Sequence, residues 1–235
     1  QKAGKAGDMV DENAELEVRG NDNAFVSRGG KKIEKALNYF NIDPTDLVVM
    51  DVGASTGGFT DCMLQHGAAK VYAIDVGHGQ LVQSLREDPR VVNWEGTDVR
   101  SIAPEQLKQP ADFFSADVSF ISLHHVLPYV LPLLRTGAQG VVLIKPQFEA
   151  GKEKVGKKGV VREKSTHKEV LDNFVALADE LQFKILGLTF SPVKGPEGNI
   201  EFLGHLTLDN VAGIRPDTAL VAELAHQTLD KGENS

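Results

Sequence analysis

Cysteine is nearly absent: Cys62 is the one thiol in 235 residues. An internal disulfide framework and any multi-cysteine metal site are therefore excluded, and the usage suits a reducing cytosol. Long apolar runs are missing as well. No stretch approaches the length needed to span a bilayer, and no basic-then-apolar leader opens the chain, so the sequence reads as a soluble, cytoplasmic protein. Positive charge is in deficit, with 25 Lys and Arg against 33 Asp and Glu and a formal net charge of -8. This balance argues mildly against a nucleic-acid binder, because phosphate contacts usually draw on an excess of Lys and Arg. No His, Cys, Asp or Glu grouping has metal-ligand spacing, so no metal is expected. No internal repeat is evident.

The sequence does have a glycine-rich turn placed directly after a short apolar run. Residues 47–50 (LVVM) have the character of a strand buried on both faces, Asp51 closes it, and Gly53, Gly57 and Gly58 follow. Glycine has no Cβ, so the backbone can take positive φ and admit a ligand closely, while residues 60–65 read as the helix leaving the turn. A dinucleotide fingerprint needs G-x-G-x-x-G, but here three residues separate Gly53 from Gly57, which disfavours NAD. The pattern D-x-G-x-x-x-G-G resembles the first motif of S-adenosylmethionine (SAM) methyltransferases, in which this loop packs on the methionine part of the cofactor. By itself it also suits, less well, a tight turn in any α/β protein.

Taken in order, residues 1–19 carry enough alternation for one or two small strands but no independent core; without an initiator methionine this segment reads as the end of something longer. Residues 27–40 place Ile33, Ala36, Leu37 and Phe40 on one helical stripe, with Lys31, Lys32 and Lys35 as ordinary solvated charges. Strands are then predicted at 70–76 ending near Asp75, 91–94 followed by Asp98, 112–116 ending at Asp117, and 141–144 running into Lys145. A helix is predicted from Leu123. Residues 146–164 form a long Gly- and Lys-rich loop, of the kind used as a lid, as a binding surface or left disordered. Thr166 and Glu169 suggest a capping box for a helix to Leu181. Strands at 183–190 and 200–209 flank a turn-rich connection, and a helix at 217–230 closes the chain with Leu220, Val221, Leu224, Ala225 and Leu229 as its stripe.

Strand and helix alternate throughout, which predicts an α/β fold with a doubly wound, mostly parallel sheet. In such a sheet the ligand crevice lies outside the carboxyl ends of the strands, so Asp51, Asp75, Asp117 and Lys145 should converge on one edge. A hairpin between the last two strands would bring Glu201 to the same edge. Lysine directly after an apolar strand is unusual, because a half-buried ammonium needs partners or loses its proton. Positive charge clusters at Lys31, Lys32 and Lys35, and again from Lys145 through Lys152, Lys154, Lys157 and Lys158 to Lys168. This is either a local basic surface on an acidic protein or a solvated lysine face.

The segments VSRGGKK, DVGASTGGFTDCML, AIDVGHGQL, DPRV, ADVSFISL, IKPQFE and GPEGNIEF, in this order, resemble the TlyA or "hemolysin A" type of ribosomal RNA methyltransferases, which are similar to FtsJ-type RNA 2′-O-methyltransferases. The resemblance covers roughly residues 25–209. It implies a seven-stranded SAM-dependent methyltransferase fold with one antiparallel strand, SAM as cofactor, and ribosomal RNA or ribosomal subunits as partner. It also implies a Lys-Asp-Lys-Glu catalytic set, which falls on Lys32, Asp117, Lys145 and Glu201. Cofactor positions fall on Asp51, Gly53, Ala54, Ser55, Thr56, Gly57, Asp75, Asp98 and Asp117. Asp98 departs from the asparagine the family tends to carry there. Arg28, Lys31, Lys152, Lys154, Lys157 and Lys158 are the candidate RNA contacts. Residues 1–20 resemble the tail of an S4-like RNA-binding domain, 21–30 a linker, and 31–235 an FtsJ-like methyltransferase domain. Lys145 is the expected base for the ribose hydroxyl, with Lys32 orienting hydroxyl or phosphate. Cys62 reads as core, His124 and His125 as the start of a helix. Two other functions remain open here. One is a membrane-active hemolysin, which lysis by pure protein would reveal; the other is a non-catalytic RNA-binding or assembly protein, which would bind SAM without methyl transfer.

Overall fold

The computed structural model describes residues 24–230. The expected S4-like remnant at 1–20 lies outside the described residues. Seven strands, β1 (Val48–Val52), β2 (Lys70–Asp75), β3 (Val91–Glu95), β4 (Ala111–Ala116), β5 (Leu134–Ile144), β6 (Lys184–Phe190) and β7 (Phe202–Thr207), form one sheet in the order β3-β2-β1-β4-β5-β7-β6. β7 runs antiparallel to both β5 and β6, and the other neighbours are parallel. The helices are α1 (Gly29–Tyr39), α2 (Gly58–Gln65), α3 (Gln83–Arg86), α4 (Leu127–Val130), α5 (Pro146–Glu149), α6 (Lys164–Glu180) and α7 (Thr218–Leu229).

Successive strand side chains point to opposite faces, and here both faces are covered. Val49, Phe113, Val141 and Leu143 pack with Ile33 and Leu37 of α1 and Phe59 and Met63 of α2. Val48, Met50, Phe114, Val142 and Ile144 pack with Leu127, Val170, Phe174 and Ala225 on the other side. The α1 stripe follows its sequence periodicity, with Ile33, Ala36 and Leu37 buried. Gly29 and Gly30, read from the sequence as linker, form the first turn of α1, and Phe25 before them is buried.

Several elements differ from their sequence expectation for identifiable reasons. The stretch after Leu123 is not one helix but a 3-10 turn (Leu123–His125), the single turn of α4, and a second 3-10 turn (Leu131–Leu133). Pro128 and Pro132 lack the N–H a continuous helix needs. β5 begins at Leu134, seven positions before Val141, because its first half pairs with β4 without supplying an apolar run. α6 starts at Lys164, so Thr166 lies inside the helix and caps nothing. β6 starts one residue later than expected and β7 is shorter at both ends, leaving Glu201 just ahead of the strand. α7 docks through Thr218, Ala222 and Ala225, while Leu220 and Leu224 face outward.

Candidate active site

The carboxyl ends of β1, β2, β4 and β5, and the start of antiparallel β7, share one edge of the sheet. At that edge stand two ion pairs, and three of their four members, Lys32, Asp117 and Lys145, line one cleft. Lys32 Nζ from α1 lies 2.6 Å from Glu201 Oε2, and Lys145 Nζ lies 2.6 Å from Asp117 Oδ1. Lys145 follows β5 and Asp117 follows β4, so two adjacent parallel strands present the second pair. Lys145 Nζ also donates to Ser119 Oγ at 3.0 Å. The contact of Nζ with Asp117 Oδ1 is an ion-pair approach outside hydrogen-bond geometry, and that oxygen has no hydrogen-bond partner among the described residues. Glu201 is fully buried, and Lys32 and Lys145 are nearly so. A buried charge holds its place only with a partner, so each member of a pair fixes the other.

This cleft, about 360 Å³, is walled by Arg28, Gly29, Lys32, Ala54, Thr56, Lys145 and the turn carrying Lys194 and Gly195. A second cleft of about 480 Å³ adjoins it, lined by Asp75, Val76, Gln80, Asp98, Arg100, Phe120 and Ile121. Both clefts are lined by Gly53, Ser55, Asp117 and Ser119. Gly53 is required there: its φ is 87°, and a Cβ would sit 2.4 Å from the Asp117 carbonyl oxygen. The close approach of these two loops sets how the clefts meet.

The larger cleft has the size and mixed lining of a small-molecule site. Asp75 accepts the Ser55 N–H and the Gly77 N–H, both at 2.7 Å, one on each carboxylate oxygen. Each oxygen keeps a second lone pair that a ribose hydroxyl can use. Asp98 is clamped by its own neighbour, taking Arg100 Nη2 at 2.6 Å and Nε at 3.0 Å, which holds its carboxyl below the usual range. Val76, Val99 and Ile121 supply apolar wall suited to a planar ring.

Of the residues expected to bind a cofactor, Gly53, Ser55, Asp75, Asp98 and Asp117 line the larger cleft, while Ala54 and Thr56 face only the basic one. Asp51 and Gly57 line neither. Asp51 sits inside β1, fully buried, accepting from Thr60 Oγ1 at 2.7 Å and Ser115 Oγ at 2.9 Å. Desolvation pushes its pKa up to about 6. It therefore braces α2 and β4 beneath the loop. Among the expected RNA contacts Arg28 lines the basic cleft, whereas Lys31 does not, and Lys152, Lys154, Lys157 and Lys158 lie exposed on the loop after α5. Lys35 is no solvated charge: it donates to the Phe190 carbonyl at 2.5 Å and stands 3.8 Å from that ring, and burial lowers its pKa. Cys62 is core, its thiol pushed up by burial. His124 and His125 are exposed in the first 3-10 turn. Ser119, Gln147, Lys194 and Phe120 belong to the site and had no periodic signal; their one cue was standing within a few residues of Asp117, Lys145 or Glu201.

The FtsJ-like methyltransferase family model matches residues 25–208, which takes in every element of both clefts. The chain belongs to this family. A Bacillus subtilis relative, YqxC, is 48% identical over 203 residues, 86% of this chain and 72% of its own. The 16S/23S rRNA (cytidine-2'-O)-methyltransferase TlyA of Mycobacterium tuberculosis is 44% identical over 185 residues, 79% of this chain and 69% of its own. A solved structure from Streptococcus thermophilus, 46% identical, superposes with a TM-score of 0.88, covering 92% of this chain and 80% of that one. In this chain Lys32, Asp117 and Lys145 line one basic cleft, with Glu201 buried behind Lys32, and that cleft opens onto the candidate cofactor cleft.

Proposed function

We propose that this chain is a SAM-dependent methyltransferase that methylates a ribose 2′-hydroxyl of ribosomal RNA. The carrying observation is that Lys32, Lys145 and Asp117 line a basic cleft, Lys145 paired with Asp117 and Lys32 with the buried Glu201, and that this cleft shares Gly53, Ser55, Asp117 and Ser119 with the cofactor cleft. SAM, when bound, supplies an electrophilic methyl group. Gly53, Ser55, Asp75 and Asp98 would hold it, with Asp75 toward its ribose.

A ribose hydroxyl is a weak nucleophile until its proton is polarised or removed. Lys145 is placed to take that proton. Ser119 Oγ, accepting from Nζ at 3.0 Å, and Asp117 Oδ1, 2.6 Å away, would orient the amine so that it can receive a proton from substrate. Lys32, fixed by Glu201, presents a cation to the hydroxyl or its neighbouring phosphate, and Arg28 adds another at the cleft wall. Holding hydroxyl and methyl donor in line provides the rest of the acceleration. Residues 1–20, if they end an S4-like domain, would add RNA affinity that the acidic net charge lacks.

The test is transfer of labelled methyl from SAM to unmodified bacterial ribosomal subunits. Wild type should place label on ribose. Lys145→Ala and Lys145→Arg should each lose on the order of 10²–10⁴ in kcat with SAM binding retained, because arginine keeps the charge but cannot act as a base. SAM binding without transfer to either subunit would overturn the function. Activity surviving in Lys145→Arg would overturn the role of Lys145 alone.

A further inference from the structure

The short helix α5 follows Lys145 immediately, and its side chains reach separate parts of the site. Gln147 Nε2 donates to Glu201 Oε1 at 3.1 Å. Phe148 packs against Phe120, ring centroids 5.1 Å apart. Glu149 accepts from Ser122 Oγ at 2.6 Å and from the Leu123 N–H at 2.9 Å. The segment after β4 and the approach to β7 are thus both tied to the helix that directly follows Lys145.

We propose that Gln147 is a positioning residue for methyl transfer: it holds the Glu201 carboxylate in register with Lys32, and so links the Lys32 and Glu201 pair to the Lys145 and Asp117 pair. The inference rests on the functional reading above. Glu201 is fully buried, and among the described residues its two carboxylate oxygens are divided between Lys32, at 2.6 Å, and Gln147. A carboxylate only accepts, so the glutamine must turn its NH₂ toward it. The other amide atom, Oε1, is buried and has no partner among the described residues. Buried amide oxygens are rarely left unpaired in a group kept for packing alone. The turn opposite leaves the carboxylate little freedom: a Cβ at Gly195 would fall 2.1 Å from Glu201 Oε1. With Lys32 on one oxygen, Gln147 on the other and Gly195 against it, one orientation of the carboxylate is defined.

Two variants test this beside wild type, on ribosomal subunits. Gln147→Leu keeps the volume and removes the donor. Its kcat should fall roughly 10- to 100-fold, the span of one hydrogen bond to a charged group, with the KM for RNA and the affinity for SAM within about twofold. Gln147→Glu sets a second carboxylate beside Glu201, and at lower pH the two can share one proton and restore the bond. Its activity relative to wild type should therefore rise as pH falls, a trend that a merely structural defect would not produce. Wild-type kcat in Gln147→Leu, a loss carried wholly by KM, or a relative activity of Gln147→Glu that is flat with pH would overturn the proposal and leave the function standing. Absence of transfer by wild type would instead sink the function. The positioning claim is then read without catalysis, from a crystal structure of Gln147→Leu: Glu201 should turn away from Lys32, and a pair kept at its original distance overturns the claim.

Discussion

Asp51 illustrates a carboxylate whose work is structural at some cost in stability. It is fully buried, and the hydroxyls of Thr60 and Ser115 only partly offset its desolvation, so its pKa rises to about 6. The folded state thus holds its proton more tightly than the unfolded chain does. The stability this contributes is complete below the ordinary carboxylate range and is lost as pH rises through about 6, on the order of 3 kcal/mol in all. His167 and His205 work in the opposite sense: burial lowers both to about 4, so they contribute stability that grows as pH rises from there toward the usual histidine range. A difference experiment separates them. Asp51→Asn, in which one hydroxyl can turn to accept from the new amide, should be more stable than wild type at pH 7 by about 1–3 kcal/mol, with the gain vanishing toward pH 4. Thermal melts of both proteins across that range check this, and parallel curves would refute it.

At the scale of elements, α7 shows how a helix can be docked by its smallest residues. Ala222 and Ala225 are wholly buried against the sheet face, and Leu220 and Leu224 are 53% and 43% exposed. Ala222→Leu should therefore overpack the contact and cost about 1–3 kcal/mol in urea unfolding, whereas Leu224→Gln should stay within about 0.5 kcal/mol. Equal effects at the two positions would contradict this docking. Of the sequence stripe, Val221, Ala225 and Leu229 do face the core, whereas Leu220 and Leu224 misled because side-chain size, not contact, dominates a hydrophobic pattern. Strands were legible where burial on both faces leaves a continuous apolar run, as in β1 and β2. The early half of β5 was not, since its pairing with β4 rests on backbone hydrogen bonds that any residue supplies. Of the four residues proposed to act together, Asp117 and Lys145 were legible because strand ends of a parallel sheet must share an edge, and Glu201 through the antiparallel return of the last strand. Lys32, on α1, read as a solvated charge and came only from the family resemblance. Gln147 and Ser119 were not legible, because a residue that acts by holding another leaves no spacing of its own.

Over the whole molecule, a net charge of -8 has to be reconciled with an RNA substrate. Distribution resolves the conflict. Arg28, Lys32, Lys145 and Lys194 line the inner cleft. Beyond α5 the chain exposes Lys152, Lys154, Lys157 and Lys158 on a segment that is anchored rather than loose. Val160 and Val161 are buried, the Val161 N–H donates to Asn199 Oδ1 at 3.0 Å, and Asn199 Nδ2 donates to the Gly159 carbonyl at 2.8 Å. Asn199 closes the turn that carries Lys194 and Gly195, so the lysine-bearing segment is fastened to the rim of the basic cleft. Lys154 is already paired with Glu169 at 2.5 Å, which leaves Lys152, Lys157 and Lys158 as the better phosphate ligands. Removing one lysine that neutralises a phosphate should lower the slope of log affinity against log salt by roughly 0.7–0.9. The triple variant Lys152→Ala, Lys157→Ala, Lys158→Ala should bind ribosomal subunits more weakly and with a shallower salt dependence, yet turn over at the wild-type rate once RNA is saturating. Filter binding across a salt series, paired with saturating methyl transfer, checks both halves. An unchanged slope would make these lysines a solvated face and confine the RNA footprint to the cleft itself.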